Sequence, residues 1–148
     1  MTDTEVLQVI IQIAQLRANP TYRHAELRRR QLGPEGAAIM ARAPQDSPDY
    51  AALRQLVGTW NRIAIFVEAF SAKQRQRFFH CHPIALTWKA LKPGIEVIRH
   101  AKDVAEPVHK NYAWQLEDLA GKYEKWLKTA DGKDYRTEAQ QAVCADFG

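Results

Sequence analysis

The length, composition and charge of the chain exclude several classes of protein. Its 148 residues fit one domain that can bury a core without disulfides or a structural metal, and 46% hydrophobic with 26% charged residues excludes disorder and fibrous repeats. The net charge of +4 favours polyanionic partners only weakly and is far from that of a dedicated nucleic-acid-binding protein.

The cysteines and the first apolar segment bear on cellular location. Cys81 and Cys144 form no CxxC pair, which is the usage expected in a reducing compartment. The segment from Val6 to Leu16 (VLQVIIQIAQL) is about half as long as a bilayer span requires, contains three glutamines and follows no basic leader. We therefore expect a buried or docking helix, no membrane span and a cytoplasmic location.

Proline and glycine divide the chain into helical segments, and no run alternates strictly between apolar and polar residues as a strand would. The pattern predicts an all-α, single-domain helical bundle of about six to seven helices over residues 1–148, with 131–148 as a loosely ordered tail. In chain order, the expected helices run from Thr4 as N-cap to Ala18, Tyr22 to Leu32, Glu35 to Ala43, Asp49 to Phe70, Ser71 to Phe79 or His80, 83–104 and 107–130.

The last two helices carry matching apolar stripes. Trp88, Leu91 and Ile95 in one, and Leu116, Leu119 and Tyr123 in the other, recur at spacings of three and four. With a short turn near Glu106 and Pro107, the stripes predict a long antiparallel hairpin. We expect the 83–104 helix to be kinked or broken at Pro93–Gly94 and, with apolar residues on both sides, to be the centre of the bundle.

Three stretches, LRQLVGTWNRIAIFVEAF, WKALKPGIEVIR and NYAWQLEDLAGKY, carry a resemblance over about residues 53–123. The pattern resembles a bacterial family of small helical proteins catalogued only as a domain of unknown function. The corresponding positions here are Asn61, Glu68, Trp88, Arg99, Leu119 and Ala120. The resemblance implies a helical fold and a bacterial or phage origin, and it implies no activity.

The sequence holds no phosphate-binding glycine loop, no HExxH and no G-x-S-x-G, which disfavours the enzymes that these motifs mark. The segment FFHCHP places His80, Cys81 and His82 in a row. On a helix, side chains at i and i+2 diverge by about 200°, so the two histidines could share a metal only in extended chain. The other interpretation is a junction between helices where a histidine caps carbonyl groups and Cys81 packs as a small hydrophobic residue.

Two basic stretches could bind phosphate groups or acidic surfaces. One is the run Arg28 to Arg30 with Arg23 nearby, and the other is the segment 73–102, which contains Arg75 and Arg77. A solvated surface is the commoner outcome for such runs, and no helix-turn-helix register or aromatic RNA motif accompanies them. Nucleic-acid binding through residues 73–102 is therefore an alternative function.

Two apolar side chains break the helical pattern. Trp114 lies about 200° around its helix from Tyr112, and Ile65 lies on the polar side of the fourth helix. Tryptophan is costly to expose and common in interfaces, so Trp114 either packs against the first helix or another segment of the chain, or meets a partner.

These observations predict a non-enzymatic, protein-binding helical bundle, such as a small bacterial or phage-encoded regulator, immunity protein or inhibitor. Its partner is another protein, with a second copy of the chain as an alternative, and we expect no catalytic residue, cofactor or metal. The predicted partner-binding residues are Trp114, Ile65, Arg62, Arg75, Arg77 and Lys110. A metal-assisted enzyme centred on His80, Cys81 and His82 is the third alternative.

Overall fold

A computed structural model describes residues 1–101 and 110–134, which form a single bundle of helices without a strand. The all-α prediction is confirmed. The helices are α1 (Asp3–Ala18), α2 (Pro20–Gln31), α3 (Gly36–Arg42), α4 (Pro48–Glu68), α5 (Ala72–Cys81), α6 (Ile84–Arg99) and α7 (Trp114–Leu127).

Side-chain caps fix where several helices begin. The Ser71–Gln74 capping box predicted for α5 is present, with both reciprocal hydrogen bonds formed. The N-cap of α1 is Thr2, not Thr4, because Thr2 forms a second capping box with Glu5. Pro83 precedes the first residue of α6 instead of occupying it.

Helix α4 is the central element, where we had expected α6. Its stripe of Leu53, Leu56, Ile63 and Val67 is buried as predicted, and Thr59 widens the buried surface beyond one face. The helix packs against α1, α2, α3, α6 and α7. Helix α6 makes its main contacts with α3, α4 and α7, so α4 joins more of the bundle than α6 does.

Helices α3 and α6 approach each other closely because small residues meet there. A Cβ added to Gly94 would lie 2.7 Å from the carbonyl oxygen of Ala37, closer than real Cβ contacts come. Helix α6 continues through Pro93 to Arg99, so it is not broken at the Pro–Gly pair. The glycine therefore serves helix packing in α6.

Helices α6 and α7 form the predicted antiparallel pair. Arg99, the last residue of α6, bonds to Glu117 near the start of α7, while His80, shortly before α6, contacts Trp126 near the end of α7. The predicted bounds were too long: α6 ends at Arg99, and α7 begins at Trp114 after a turn at residues 110–113. The turn predicted near residues 106 and 107 lies outside the described residues.

Helix α1 is only partly covered. Val6 and Ile13 are buried, whereas Leu7 and Ile11 are 56% and 57% exposed. No helix among the described residues is both long and apolar enough to cross a membrane. Of the predicted tail, residues 131–134 are helical and the remainder lies outside the described residues.

Candidate functional site

The FFHCHP segment does not gather its three potential metal ligands. His82 is buried with its ring 4.8 Å from that of Phe78, whereas His80 and Cys81 are exposed and the His80 ring lies against Trp126. Within residues 1–101 and 110–134, no group of three or more His, Cys, Asp or Glu side chains could hold a metal ion. The metal-assisted alternative therefore has no ligand set in this part of the chain.

His82 instead binds an arginine from α1. Arg17 Nη1 lies 3.1 Å from His82 Nδ1, and because a guanidinium can only donate, Nδ1 accepts and the ring proton is on Nε2. Burial, reinforced by the charge of Arg17, lowers the pKa of His82 to about 4. The histidine is thus a neutral acceptor at physiological pH. The expectation that Cys81 packs as a small hydrophobic residue was wrong, because Cys81 is exposed.

Two aromatic side chains complete the surroundings of Arg17. Its guanidinium carbon lies 5.5 Å from the centre of the Trp60 ring, a cation–π contact. Trp60 Nε1 donates to the Tyr22 hydroxyl at 2.7 Å, deep in the core. Burial raises the pKa of Tyr22, so the phenol stays protonated and its O–H remains a donor. Arg17, Tyr22, Trp60 and His82, here called the Arg17 cluster, join α1, α2, α4 and the α5–α6 junction.

The Arg17 cluster forms the floor of an open cleft of about 830 Å³ that α1, α2 and α6 border. Such a volume lies in the range of small-molecule sites, roughly 300–1,000 Å³. Its other lining side chains include Arg23, His24, Glu26, Arg29 and Arg30, with Ala14, Leu27, Leu86 and Ala90 on the apolar walls.

Acidic partners account for most of the arginine run near this cleft. Arg28 forms a bidentate pair with Asp49, and Glu26 accepts hydrogen bonds from both Arg29 and Arg30. Among the described residues, no carboxylate lies within ion-pair distance of Arg17. Arg28, Arg29 and Arg30 are therefore paired with carboxylates, whereas neither Arg17 nor Arg23 has such a partner among the described residues.

A second surface contains the two exposed side chains noted in the sequence. Trp114 is 48% exposed and Ile65 is 45% exposed. Trp114 lines a small recess together with Ala64 and Glu68 of α4, and Ile65 follows Ala64 in the sequence of that helix. We call Trp114, Ile65, Ala64 and Glu68 the Trp114 face. Helix α1 makes its main contacts with α2, α4 and α5, and Trp114 is left about half exposed, so α1 does not bury it.

The backbone that carries Trp114 is held by polar contacts from two other helices. Asn61 Oδ1 accepts from the Leu116 N–H at 3.1 Å, and Asn61 Nδ2 donates to Gln115 Oε1 at 2.9 Å. From α6, Arg99 Nε donates to the Tyr112 carbonyl oxygen at 2.9 Å. These bonds fix the start of α7.

Ala113, immediately before Trp114, has a φ of 62°, in the left-handed region that residues other than glycine rarely adopt. A conformation of this kind costs about 1–2 kcal/mol and persists where the surrounding contacts impose it. The turn at Ala113 therefore sets the direction in which α7 departs and the side on which Trp114 emerges.

No protein-family model matches the sequence, and neither a curated protein nor a solved structure matches it. The resemblance to a bacterial family of unknown function stays a hypothesis. Of the residues that carry it, Asn61 and Arg99 share a structural role here, because both donate to or cap the segment from Tyr112 to Glu117.

The other predicted partner residues are dispersed. Arg62 and Lys110 are exposed. Arg75 borders the recess beside Trp114, but it is half-buried and donates to the Phe70 carbonyl oxygen at 3.1 Å. Arg77 lies beside α1, 3.8 Å from Asp3. The structure thus places Arg75 beside Trp114 and Arg77 in a different setting.

The basic segment 73–102 is less available than its composition indicates. Arg75 and Arg99 donate to backbone carbonyl groups, whereas Lys73, Lys89 and Lys92 are exposed and Lys102 lies outside the described residues. No contact favours nucleic acid as the ligand of this segment, so that alternative stays an untested prediction.

Sequence reasoning missed the Arg17 cluster as a unit. His82 was singled out only as a metal ligand or a junction residue, and Trp60 only as core. Arg17, Tyr22 and Trp60 belong to three helices, and no spacing along the chain connects them. The nearest signal was the concentration of arginines in α2, which lines the same cleft.

Proposed function

We propose that this protein is a non-enzymatic helical bundle that acts by binding another protein, and that the Trp114 face is its binding surface. The observation that carries the proposal is a tryptophan that is 48% exposed although three side-chain hydrogen bonds and a left-handed turn hold its helix start in place. Tryptophan is enriched, with tyrosine and arginine, among the residues that dominate the binding energy of protein interfaces.

The physical reason lies in the entropy of binding. A side chain on mobile backbone loses conformational freedom when a partner orders it, which weakens association. The start of α7 is already fixed by Asn61 and Arg99. Burying the Trp114 indole and the adjacent Ile65 would therefore gain apolar contact at little further ordering cost.

The surroundings of the Trp114 face fit a polar rim. Glu68 lines the recess. Arg62, in α4, and Lys110, in the turn before α7, are exposed. Charges around an apolar centre select partners and orientation more than they add affinity. The proposal places the protein in a bacterial or phage-infected cytoplasm, as a regulator, immunity protein or inhibitor.

The test compares four baits in extract of the source cell: the wild type, Trp114→Ala, Ile65→Ser and Ile39→Ser. Ile39 is the matched control, because its exposure of 43% is close to the 45% of Ile65 but it belongs to α3. We expect a protein enriched by the wild type to be lost with Trp114→Ala and Ile65→Ser and retained with Ile39→Ser. Thermal unfolding of each variant checks that the fold is intact.

Two results would contradict the proposal. One is the absence of any protein enriched by the wild type over the Trp114→Ala bait. The other is loss of the partner with Ile39→Ser as well, which would indicate non-specific hydrophobic binding. Light scattering across micromolar concentrations tests the alternative that the partner is a second copy of the chain. In that case the measured mass should rise with concentration, and Trp114→Ala should abolish the rise.

A further inference from the structure

Arg17 is a cation whose immediate partner is neutral. Its Nη1 donates to the unprotonated Nδ1 of His82, and its guanidinium carbon lies 5.5 Å from the centre of the Trp60 ring. Both contacts orient the guanidinium, but neither neutralises its charge. Among residues 1–101 and 110–134, no carboxylate stands within ion-pair distance of it.

This arrangement differs from that of Arg29 and Arg30, which line the same cleft. Glu26 accepts from Arg29 and Arg30, which satisfies them within the protein. A guanidinium has five N–H donors, and one hydrogen bond to His82 leaves four for another acceptor. Fixed guanidinium groups recognise carboxylate and phosphate oxygens with two parallel hydrogen bonds, because their geometries match.

The walls of the cleft are partly apolar, which bears on the kind of ligand that would fit. Leu27 lines it and is 54% exposed, so it offers apolar surface to a bound molecule. Leu86 and Ala90 of α6 line it from the side opposite α2. An inorganic ion would cover none of this surface, whereas an organic body attached to the anion would cover it.

We infer that the cleft above the Arg17 cluster binds a small organic oxyanion, a carboxylate or phosphate carried on an apolar body, with Arg17 holding the oxygens and Leu27 and Leu86 contacting the body. Arg23, also in the lining, adds positive charge at the cleft. The inference is independent of the Trp114 face, because it rests on different helices and different contacts.

The test titrates the full-length protein with phenyl phosphate, benzoate, inorganic phosphate and benzyl alcohol. The readout is the set of indole N–H signals in nitrogen-edited NMR, which contains four tryptophans and is assigned with Trp60→Phe. We expect phenyl phosphate or benzoate to shift the Trp60 signal saturably at millimolar concentration, with inorganic phosphate and neutral benzyl alcohol binding at least about tenfold more weakly. The stronger of the two aromatic anions identifies the oxyanion as phosphate or carboxylate.

Substitutions then locate the site. Arg17→Met should weaken binding of the preferred anion about tenfold or more, and Arg17→Lys should restore part of it, since the charge returns without the planar fork. Arg62→Met, which removes an exposed arginine from α4, is the matched control and should leave binding unchanged.

Three results would overturn the inference: no saturable shift of Trp60 with either aromatic anion, inorganic phosphate binding as tightly as phenyl phosphate, or equal weakening by Arg62→Met and Arg17→Met. If Arg17→Met proves too unstable to study, Leu27→Asp replaces it, since an exposed carboxylate in the cleft should repel the same anions. Unchanged affinity in that variant contradicts the inference as well.

Discussion

Asn61 caps helix α7 from helix α4. Its Oδ1 accepts from the N–H of Leu116, the third residue of α7, at 3.1 Å, across 55 positions of sequence. That N–H is one of the donors that a side chain at the helix's own N-cap would normally satisfy, and the N-cap here is Ala113, which has none to offer. One side chain therefore completes α7 and joins it to α4.

Asn61→Ala should lower the free energy of unfolding by about 1–2 kcal/mol, since it removes a helix cap and leaves the Leu116 N–H without its acceptor. Urea denaturation measures the change. Asn61→Asp is the control, because it keeps an oxygen acceptor and places a negative charge at the helix N-terminus. Equal destabilisation by both substitutions would show that the Gln115 contact, which Asp cannot donate, carries the effect instead.

The neutral His82 makes stability depend on pH. Its pKa falls from the ordinary 6.5 to about 4 in the folded protein, so between these values the unfolded chain binds a proton that the native state does not. The stability present above pH 6.5 should therefore be lost progressively as the pH falls to 4, by up to about 3 kcal/mol.

Urea denaturation between pH 4 and 7 tests this dependence by comparing the wild type with His82→Gln. The glutamine amide oxygen can still accept from Arg17 but does not titrate. The pKa of Asp49 is lowered by its hydrogen bonds from Arg28, so protonation of Asp49 at low pH also destabilises the protein. This contribution is the same in the wild type and in His82→Gln, so it cancels in the comparison. Identical pH profiles for the two proteins would show that His82 does not supply the effect.

Two glycines in helices should respond in opposite directions to alanine. Gly94→Ala should destabilise by about 1–3 kcal/mol, because the new methyl group would lie 2.7 Å from the Ala37 carbonyl oxygen and push α3 from α6. Gly58→Ala should stabilise by about 0.5–1 kcal/mol, since its position in α4 has no neighbour within 4 Å of a Cβ. Thermal unfolding of both variants measures the signs, and stabilisation by Gly94→Ala would refute the close approach.

Removal of metal should leave the melting temperature unchanged. His82 Nδ1 is occupied by Arg17 and its ring is buried, while His80 and Cys81 face solvent. Elemental analysis of untagged protein and thermal unfolding with and without chelator make the measurement. Stoichiometric zinc together with a lower melting temperature in chelator would contradict this prediction and support metal binding by FFHCHP.

The helices and their stripes could be predicted because their causes are local. The Ser71 capping box spans three residues, and the α4 stripe that buries Leu53, Leu56 and Ile63 follows from the helical repeat. The errors at the ends of α6 and α7 have a different source. Tyr112 continues the apolar spacing of α7, yet Ala113 adopts a left-handed turn that no spacing encodes.

The sequence by itself determined an all-α chain, the approximate helices, and the departure of Trp114 and Ile65 from the apolar stripes of their helices, since all of these depend on residues within a few positions of each other. Only the tertiary structure decided that Arg17 meets His82 across 65 positions and that Trp60 meets Tyr22 across 38. Helix periodicity specifies which face of a helix is buried, but not which helix covers it or at what height. Pairings between helices depend on that register and crossing angle, which arise when the whole core packs.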